Sequence, residues 1–146
     1  MNADKSLLKR FLAHPNDPMD VDSNALTKAL RCRLLSADPA TGKVRVAFEP
    51  GEQFLQGNNV IQGGIVATML DFAMAFAAMS ALPEGQGGTT TSMTVSYLRP
   101  VKPGRYEAVA TLDKKGRSVL FARAELWPEG GGDLVATATS VMSVIG

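Results

Sequence analysis

A single carboxylate, Asp71, lies within a strongly apolar segment of this sequence. It is the only charged residue between Glu52 and Glu84, and residues 65–81 have the composition of a helix that is apolar nearly all round. Such a helix is normally buried on all sides, where an ionised carboxylate is costly unless it is paired, hydrogen-bonded or solvated by a cleft. Asp71 is therefore a candidate nucleophile or general base; the alternative is a structural carboxylate that pairs with an arginine or caps a loop.

Two glycines, Gly63 and Gly64, stand where this helix begins. The first turn of a helix carries unpaired N–H groups and the positive end of the helix dipole, and glycine lets a ligand approach the backbone closely. The alternative is a plain junction between loop and helix that needs the flexibility of glycine. A buried acid beside such a helix start is the part of the sequence that looks like a reaction site.

The remaining segments are mostly β in character and must form the framework of that site. Hydrophobic periodicity and turn residues predict helices over 4–13 and 64–81, and strands over 28–37, 43–49, 89–98, 106–113, 118–127 and 134–145. Two strands, a long helix and four further strands joined by short turns indicate an α+β fold, with an antiparallel sheet wrapped around a central helix. We expect an N-terminal helix and arm over residues 1–27 and a single domain over 28–146.

Composition narrows the class of protein. The chain has 146 residues with a net charge of about +1, so no broad electrostatic field points to nucleic acid or to an anionic membrane. One cysteine, Cys32, excludes an internal disulfide and a multi-cysteine metal site, and is expected to be a core residue. No signal peptide is visible, and Asp71 argues against a membrane span over the apolar segment. A cytoplasmic protein is the expectation.

The spacing around Asp71 resembles that of a known family, the hotdog-fold acyl-CoA thioesterases, in the branch of the PaaI-like and 4-hydroxybenzoyl-CoA thioesterases. That pattern has Asn or Gln, then His-Gly-Gly six residues later, then Asp or Glu nine residues after the His. Here Gln56, the run Gln62-Gly63-Gly64, and Asp71 reproduce both intervals, and residues 89–100 supply the following strand. Gln62 stands where the family usually has His, so a role of that imidazole in the family cannot be assigned to this sequence.

The resemblance implies roles for the matching residues. The Gly63 N–H would bind the thioester carbonyl oxygen as negative charge develops there, an interaction worth roughly 3–4 kcal/mol of barrier. Gln56 would orient the water or contact the reacting group, Thr90 would face the acid, and Gln62 and Gly64 would shape the substrate loop. Thr90 could equally reflect β propensity alone.

Coenzyme A carries phosphates, which need cations and backbone donors near the mouth of a cleft. The one compact basic turn, a candidate nucleotide site by resemblance, comprises Lys114, Lys115, Gly116, Arg117 and Ser118. Its alternative role is a solvated hairpin tip. Arg99 is a second, weaker candidate.

The resemblance implies hydrolysis of an aryl- or short- to medium-chain acyl-CoA to free CoA and a carboxylic acid, with no metal or redox cofactor. It also implies a homodimer, or a dimer of dimers, in which Asp71 faces Gln56 and Gly63 of the partner subunit. A non-catalytic acyl-CoA sensor is the alternative, while a hydratase would use an Asp–His pair and the only histidine is His14. The acyl group stays open, because five residues suit either an acyl pocket or plain core: Met69, Phe72, Met74, Phe76 and Met79.

Overall fold

A computed structural model describes residues 2–15 and 17–146 of the chain. The helices are α1 (Ala3–Ala13), α2 (Ala25–Ala29) and α3 (Gly63–Ala81), with a 3-10 turn at Glu52–Phe54. The strands are β1 (Met19–Asp20), β2 (Arg33–Asp38), β3 (Lys43–Phe48), β4 (Gly87–Tyr97), β5 (Tyr106–Lys115), β6 (Val119–Pro128) and β7 (Ala136–Ile145). All strand pairs are antiparallel, in the order β1-β2-β3-β5-β6-β7-β4. The predicted α+β fold, a sheet wrapped around one long helix plus a short N-terminal helix, is confirmed.

The strand predicted over residues 28–37 is wrong in its first half, where the end of a helix is followed by a turn. The side chain of Asn24 caps α2 by accepting a hydrogen bond from the backbone N–H of Thr27 at 2.9 Å. Arg31 then adopts a positive φ of 48°, which ends the helical turn before β2 starts at Arg33. The cap and the left-handed residue are decided by local backbone geometry, which the apolar pattern does not show.

The central helix α3 owes its length to strong helix formers. Six alanines and three methionines make up almost half of it, and Pro83 follows two residues after its end. It is long and apolar enough to cross a membrane, with a mean hydropathy of 1.6, yet more than half of it is buried inside the fold, as in a core helix. The sheet covers it closely because the strands that face it present small side chains: Ala108, Ala110, Ala122, Ala124, Ala136 and Ala138.

One stripe of α3 stays partly open, so the expectation of burial on all sides is wrong for a single chain. The stripe consists of Gly64, Thr68, Asp71, Phe72 and Ala75. These positions recur at intervals of three and four residues, which places them on one face of the helix. Asp71 therefore lies at the border between the core and an accessible cleft.

A β-bulge in β4 sets which of its side chains face α3. The register with β7 shifts between Thr90 and Ser92, so that Thr91 is an extra residue. Before the bulge the even-numbered Thr90 faces α3, and after it the odd-numbered Tyr97 does. In a regular strand, residues 90 and 97 are an odd number of positions apart and would therefore point to opposite faces.

The N-terminal helix α1 packs against the end of α3 and carries buried apolar residues, Leu7, Leu8 and Phe11, on one face. Its first turn is capped by Asn2, whose side chain accepts hydrogen bonds from two backbone N–H groups. The division of the chain between residues 27 and 28 stays a prediction.

Candidate active site

Asp71 and Thr90 meet where α3 passes β4. The Thr90 hydroxyl donates a hydrogen bond of 2.8 Å to Oδ1 of Asp71. Asp71 is half-buried and Thr90 is exposed, so the pair is accessible from the open stripe of α3. The structure thus brings together two of the predicted site residues within one chain.

Asp71 has no cationic partner in the described part of the chain. The ion pairs formed by residues 2–15 and 17–146 all involve other carboxylates. Among the same residues its Oδ2 atom receives no hydrogen bond, whereas Oδ1 is held by Thr90. This arrangement leaves one carboxylate oxygen free to take a proton or attack a carbon, and it shows no sign of the alternative role in an arginine pair.

The start of α3 offers backbone donors. Within residues 2–15 and 17–146, no acceptor contacts the N–H of Gly63 or Gly64, as expected for the first two positions of a helix. Gly64 is exposed and a Cβ there would meet nothing within 4 Å. At Gly63 a Cβ would lie 3.3 Å from the hydroxyl oxygen of Tyr97, which donates a hydrogen bond of 2.7 Å to the Gly63 carbonyl.

Tyr97 is a site neighbour that the sequence did not reveal. It lies seven residues after Thr90, an odd interval that points to the opposite face of a regular strand, and only the bulge at Thr91 turns it toward α3. Its hydroxyl holds the first turn of α3 in place.

Gly63 and Asp71 are too far apart to act on the same atom within one chain. They are eight residues apart on α3, a separation of about 12 Å along a helix that rises 1.5 Å per residue. A thioester carbon must lie within about 3 Å of its attacking group while its oxygen lies within about 3 Å of the donor. A single chain therefore does not bring the Gly63 N–H and the Asp71 carboxylate to one reaction centre.

Gln56 and Gln62 lie in the loop that precedes α3. The side-chain oxygen of Gln56 accepts a hydrogen bond from the N–H of Asn58, and its carbonyl accepts one of 3.0 Å from Asn59, which has a positive φ of 60°. Gln62 is exposed at the N-cap of α3 and makes no side-chain capping bond. Neither contacts Asp71 of the same chain, and Gln56 shapes the turn that it belongs to.

A cavity of about 730 Å³ starts at Asp71 and Thr90 and runs toward α1. Of the five apolar residues left open between pocket and core, Phe72 and Met79 line it, whereas the other three are fully buried core: Met69, Met74 and Phe76. A second cavity of about 500 Å³ at the opposite edge of the sheet is less suited to ligand binding, because its arginines are already paired: Arg31 and Arg105 with Glu49, and Arg33 with Asp20.

The basic turn lies at the other end of α3 from the glycines. Lys115 donates a hydrogen bond of 3.0 Å from Nζ to the carbonyl of Ala81, the last residue of the helix. Gly116 has a steric reason to be glycine, since a Cβ would lie 2.6 Å from the carbonyl oxygen of Val119. The backbone carbonyl of Ser118 accepts from Val144 at 2.9 Å. Lys114 and Arg117 extend from this turn as exposed side chains.

Three other residues considered from the sequence lie apart from this site. Arg99 forms an exposed ion pair with Asp133 at 3.4 Å. Cys32 is buried, and this burial raises the pKa of its thiol well above the ordinary value, as for an inert core residue. His14 is exposed just after α1.

Comparison with known proteins assigns the family. Residues 58–135, more than half of the chain, match the Thioesterase superfamily. A protein of Saccharolobus solfataricus that is provisionally named an esterase is 23 % identical over 97 residues. That match covers 66 % of this chain and 63 % of the relative, so it spans less than two thirds of the relative's length.

Solved structures share the whole architecture. A phenylacetic acid degradation-related protein from Ralstonia eutropha JMP134 has a TM-score of 0.79 and 26 % identity over 93 % of this chain and 98 % of its own. The Escherichia coli PaaI protein has a TM-score of 0.79 and 22 % identity, covering 100 % and 97 % of the two chains. A Streptococcus mutans UA159 protein solved bound to acetyl CoA has a TM-score of 0.69 and 23 % identity, covering 77 % and 87 %. The chain belongs to the Thioesterase superfamily and has the hotdog fold of its PaaI-like members.

Proposed function

We propose that this protein hydrolyses acyl-CoA thioesters to free CoA and a carboxylic acid. The observation that carries the proposal is the geometry of Asp71, whose Oδ1 is held by Thr90 while Oδ2 is left without a partner in the described chain. The carboxylate stands at the mouth of a cavity large enough for an acyl group. A carboxylate that is held by one hydrogen bond beside such a cavity suits attack on an electrophilic carbon.

Two routes use the same carboxylate. As a general base, Asp71 takes a proton from a water whose oxygen attacks the thioester carbon; the C–S bond then breaks and the CoA thiolate leaves with a proton. As a nucleophile, Asp71 itself bonds to the carbon, CoA leaves, and water hydrolyses the mixed anhydride. In both routes Thr90 fixes the rotamer of the carboxylate, so the carboxylate oxygen that takes the proton or attacks the carbon is oriented before substrate binds.

The oxyanion donor in this proposal is Gly63 of the partner subunit. Its N–H stands at the positive end of the α3 dipole and is free of acceptors in the described chain. The separation of about 12 Å between Gly63 and Asp71 along one helix favours a site shared by two chains. Gln56 of the partner subunit would lie beside the same centre, because its loop leads into that helix.

The edge of β4 supports a dimer of this kind. In the described residues β4 pairs with β7 on one side and has no strand on the other, although it is eleven residues long. An open edge of that length invites pairing with another strand. A two-fold axis between Met93 and Thr94, past the middle of β4, would set Thr90 of one chain near Tyr97 of the other, which would bring Asp71 toward Gly63 of the partner subunit.

The CoA nucleotide is assigned to Lys114 and Arg117 of the basic turn, with Gly116 and Ser118 shaping the loop. These two exposed cations can contact phosphates without breaking the bond that Lys115 makes to α3. The acetyl CoA bound to the structurally similar Streptococcus mutans protein supports an acyl-CoA ligand. No metal or redox cofactor takes part in the proposal.

A hydrolysis screen with free thiol as the readout tests the activity. Phenylacetyl-, aryl-, short- and medium-chain acyl-CoAs are offered to the wild-type protein and to Asp71→Asn. We expect turnover of at least one class, and a loss of at least about a hundredfold in kcat for the variant, the usual scale for removing an acid–base group. The far-ultraviolet circular dichroism spectrum and the mass of the oligomer should be the same for the variant and the wild type.

Two outcomes would contradict the proposal. Near wild-type turnover by Asp71→Asn would remove the acid from the mechanism. Tight binding of acyl-CoA without release of thiol from any substrate would favour the non-catalytic acyl-CoA-binding protein instead.

A further inference from the structure

We infer that α1 forms the far wall of the acyl pocket and so sets the length of acyl group that the protein accepts. This inference rests on the proposed function, since it takes Asp71 as the site of thioester attack. The cavity that begins at Asp71 continues past α3 to the side chains of Leu8 and Leu12 on α1. The N-terminal helix would thus act on substrate choice, at a distance from the reacting atoms.

One side of the cavity is lined by apolar residues of α3. These are Phe72, Ala75 and Met79, which follow Asp71 by one, four and eight residues. Leu8 and Leu12 are four residues apart on α1 and close the cavity at its end. An acyl chain that leaves the thioester beside Asp71 can therefore follow apolar side chains to Leu8 and Leu12, while polar residues such as Lys5, Ser80 and Glu84 line other parts of the cavity.

Lys5 attaches α1 to the end of α3 and the loop that follows it. Its ammonium donates to the carbonyl of Pro83 at 2.6 Å, to that of Leu82 at 3.5 Å and, more closely, to that of Gln86. These carbonyls belong to the end of α3 and the loop after it, where a cation also meets the negative end of the helix dipole. Lys9 adds an exposed ion pair to Glu84 of the same loop.

The size of the pocket indicates the class of acyl group. From Asp71 to Met79 the helix rises about 12 Å, at 1.5 Å per residue. An extended saturated chain with carbon–carbon bonds of about 1.5 Å fills this length with about eight to ten carbons. The structure thus assigns medium-length apolar acyl groups to this site, limited by Leu12.

The test measures chain-length profiles. We would determine kcat/KM for saturated acyl-CoAs of about four to fourteen carbons with the wild type, Leu12→Trp, Leu12→Ala and Lys5→Met, and Kd for the matching free carboxylic acids by calorimetry. Each buried methylene is worth about a fourfold gain until the wall is reached. Leu12→Trp should move the optimum at least two carbons shorter, and Leu12→Ala at least two carbons longer. Lys5→Met should broaden the profile toward longer chains.

Matched controls are Arg10→Trp and Arg10→Ala, which alter an exposed side chain of α1 that does not line the cavity. They should leave the optimum where the wild type has it. An unchanged optimum in Leu12→Trp, Leu12→Ala and Lys5→Met, in an active and folded enzyme, would overturn the inference. A third outcome separates the two proposals. If no thioester is hydrolysed but the Kd values of the free acids shift with the Leu12 variants as described, the role of α1 in the pocket is supported and the proposed hydrolase function is contradicted.

Discussion

At the scale of single residues, the hydroxyl of Thr90 has a defined task. A hydrogen bond to a charged group contributes about 1.5–3 kcal/mol, more than one between neutral groups. Thr90 donates such a hydrogen bond to one oxygen of Asp71, and the other oxygen has no partner in the described chain. Because both residues sit at the border of the core, the bond fixes the rotamer of Asp71 without closing the site.

Replacing this hydroxyl gives a prediction with a built-in control. Thr90→Val keeps the shape but loses the donor, so kcat should fall about tenfold to a hundredfold, as expected for one lost hydrogen bond to a charge. Thr90→Ser keeps the donor and should stay within about threefold of the wild type. Steady-state kinetics on one good substrate would measure both variants. Equal rates for the valine and serine variants would show that the hydroxyl has no role in turnover.

At the scale of elements, two lysines from different parts of the chain stabilise the C-terminal end of α3. Lys115 binds the carbonyl of Ala81, and Lys5 binds carbonyls just beyond it. Cations there interact favourably with the helix dipole. The basic turn therefore divides into Lys115, which supports the helix, and the exposed pair Lys114 and Arg117, which remain the candidates for contacts to phosphate.

Variants of Lys114 and Arg117 should affect substrate binding, whereas a variant of Lys115 should affect stability. Neutralising Lys114 and Arg117 together to glutamine should raise KM several-fold and leave kcat nearly unchanged, because contacts remote from the thioester bind substrate and transition state alike. The effect should shrink as salt rises, since exposed charges are screened over about 8 Å at physiological ionic strength.

Lys115→Gln serves as the counterpart. It should lower Tm by about 1–4 °C with little change in KM, because a cation at a helix end contributes about 0.3–1 kcal/mol. Kinetics at low and high salt together with thermal unfolding would distinguish the two classes. An unchanged KM in the double variant at low salt would make the turn a solvated hairpin tip and would move the nucleotide site, with Arg99 as the next candidate.

At the scale of the whole molecule, the spacing along α3 determines how a complete site can form. The acid lies in the middle of the helix and the free N–H groups at its start, about 12 Å away. Two chains that pair at the edge of β4 would each supply half of two equivalent sites. A single chain would hold the acid about 12 Å along the helix from the proposed oxyanion donor, Gly63.

Subunit mixing tests this arrangement. Gly63→Pro removes the proposed donor at the first helical position, where proline is tolerated, and Gln62 already has a ψ of 134° that suits a following proline. Mixed in equal amounts, inactive Asp71→Asn and Gly63→Pro chains should regain about a quarter of wild-type activity, since half of the dimers are mixed and each holds one intact site.

The control is Gly63→Ala, which keeps the N–H while adding a Cβ next to Tyr97. It should retain much more activity than the proline variant. Absence of recovery, with exchange of subunits confirmed by mass spectrometry, would argue for a site within one chain.

Features of this molecule that depend on neighbours along the chain could be predicted from the amino-acid sequence. The lone charge of Asp71 in an apolar segment, the glycine pair before it and the order of helix and strands all follow from local composition and periodicity. The predicted α3 and the strands after it are confirmed for this reason. The first half of the strand predicted over 28–37 is wrong because Asn24 caps a short helix, α2, that apolar periodicity does not reveal.

Contacts between distant side chains could not be predicted in this way. Three consecutive threonines carry no sign of a bulge, yet the extra residue at Thr91 turns both Thr90 and Tyr97 toward α3. Likewise, Lys5 and Lys115 reach the end of α3 from distant segments of the sequence, and one stripe of that helix stays open. Register, bulges and the covering of a helix are set by packing between distant segments, and local sequence patterns do not contain that information.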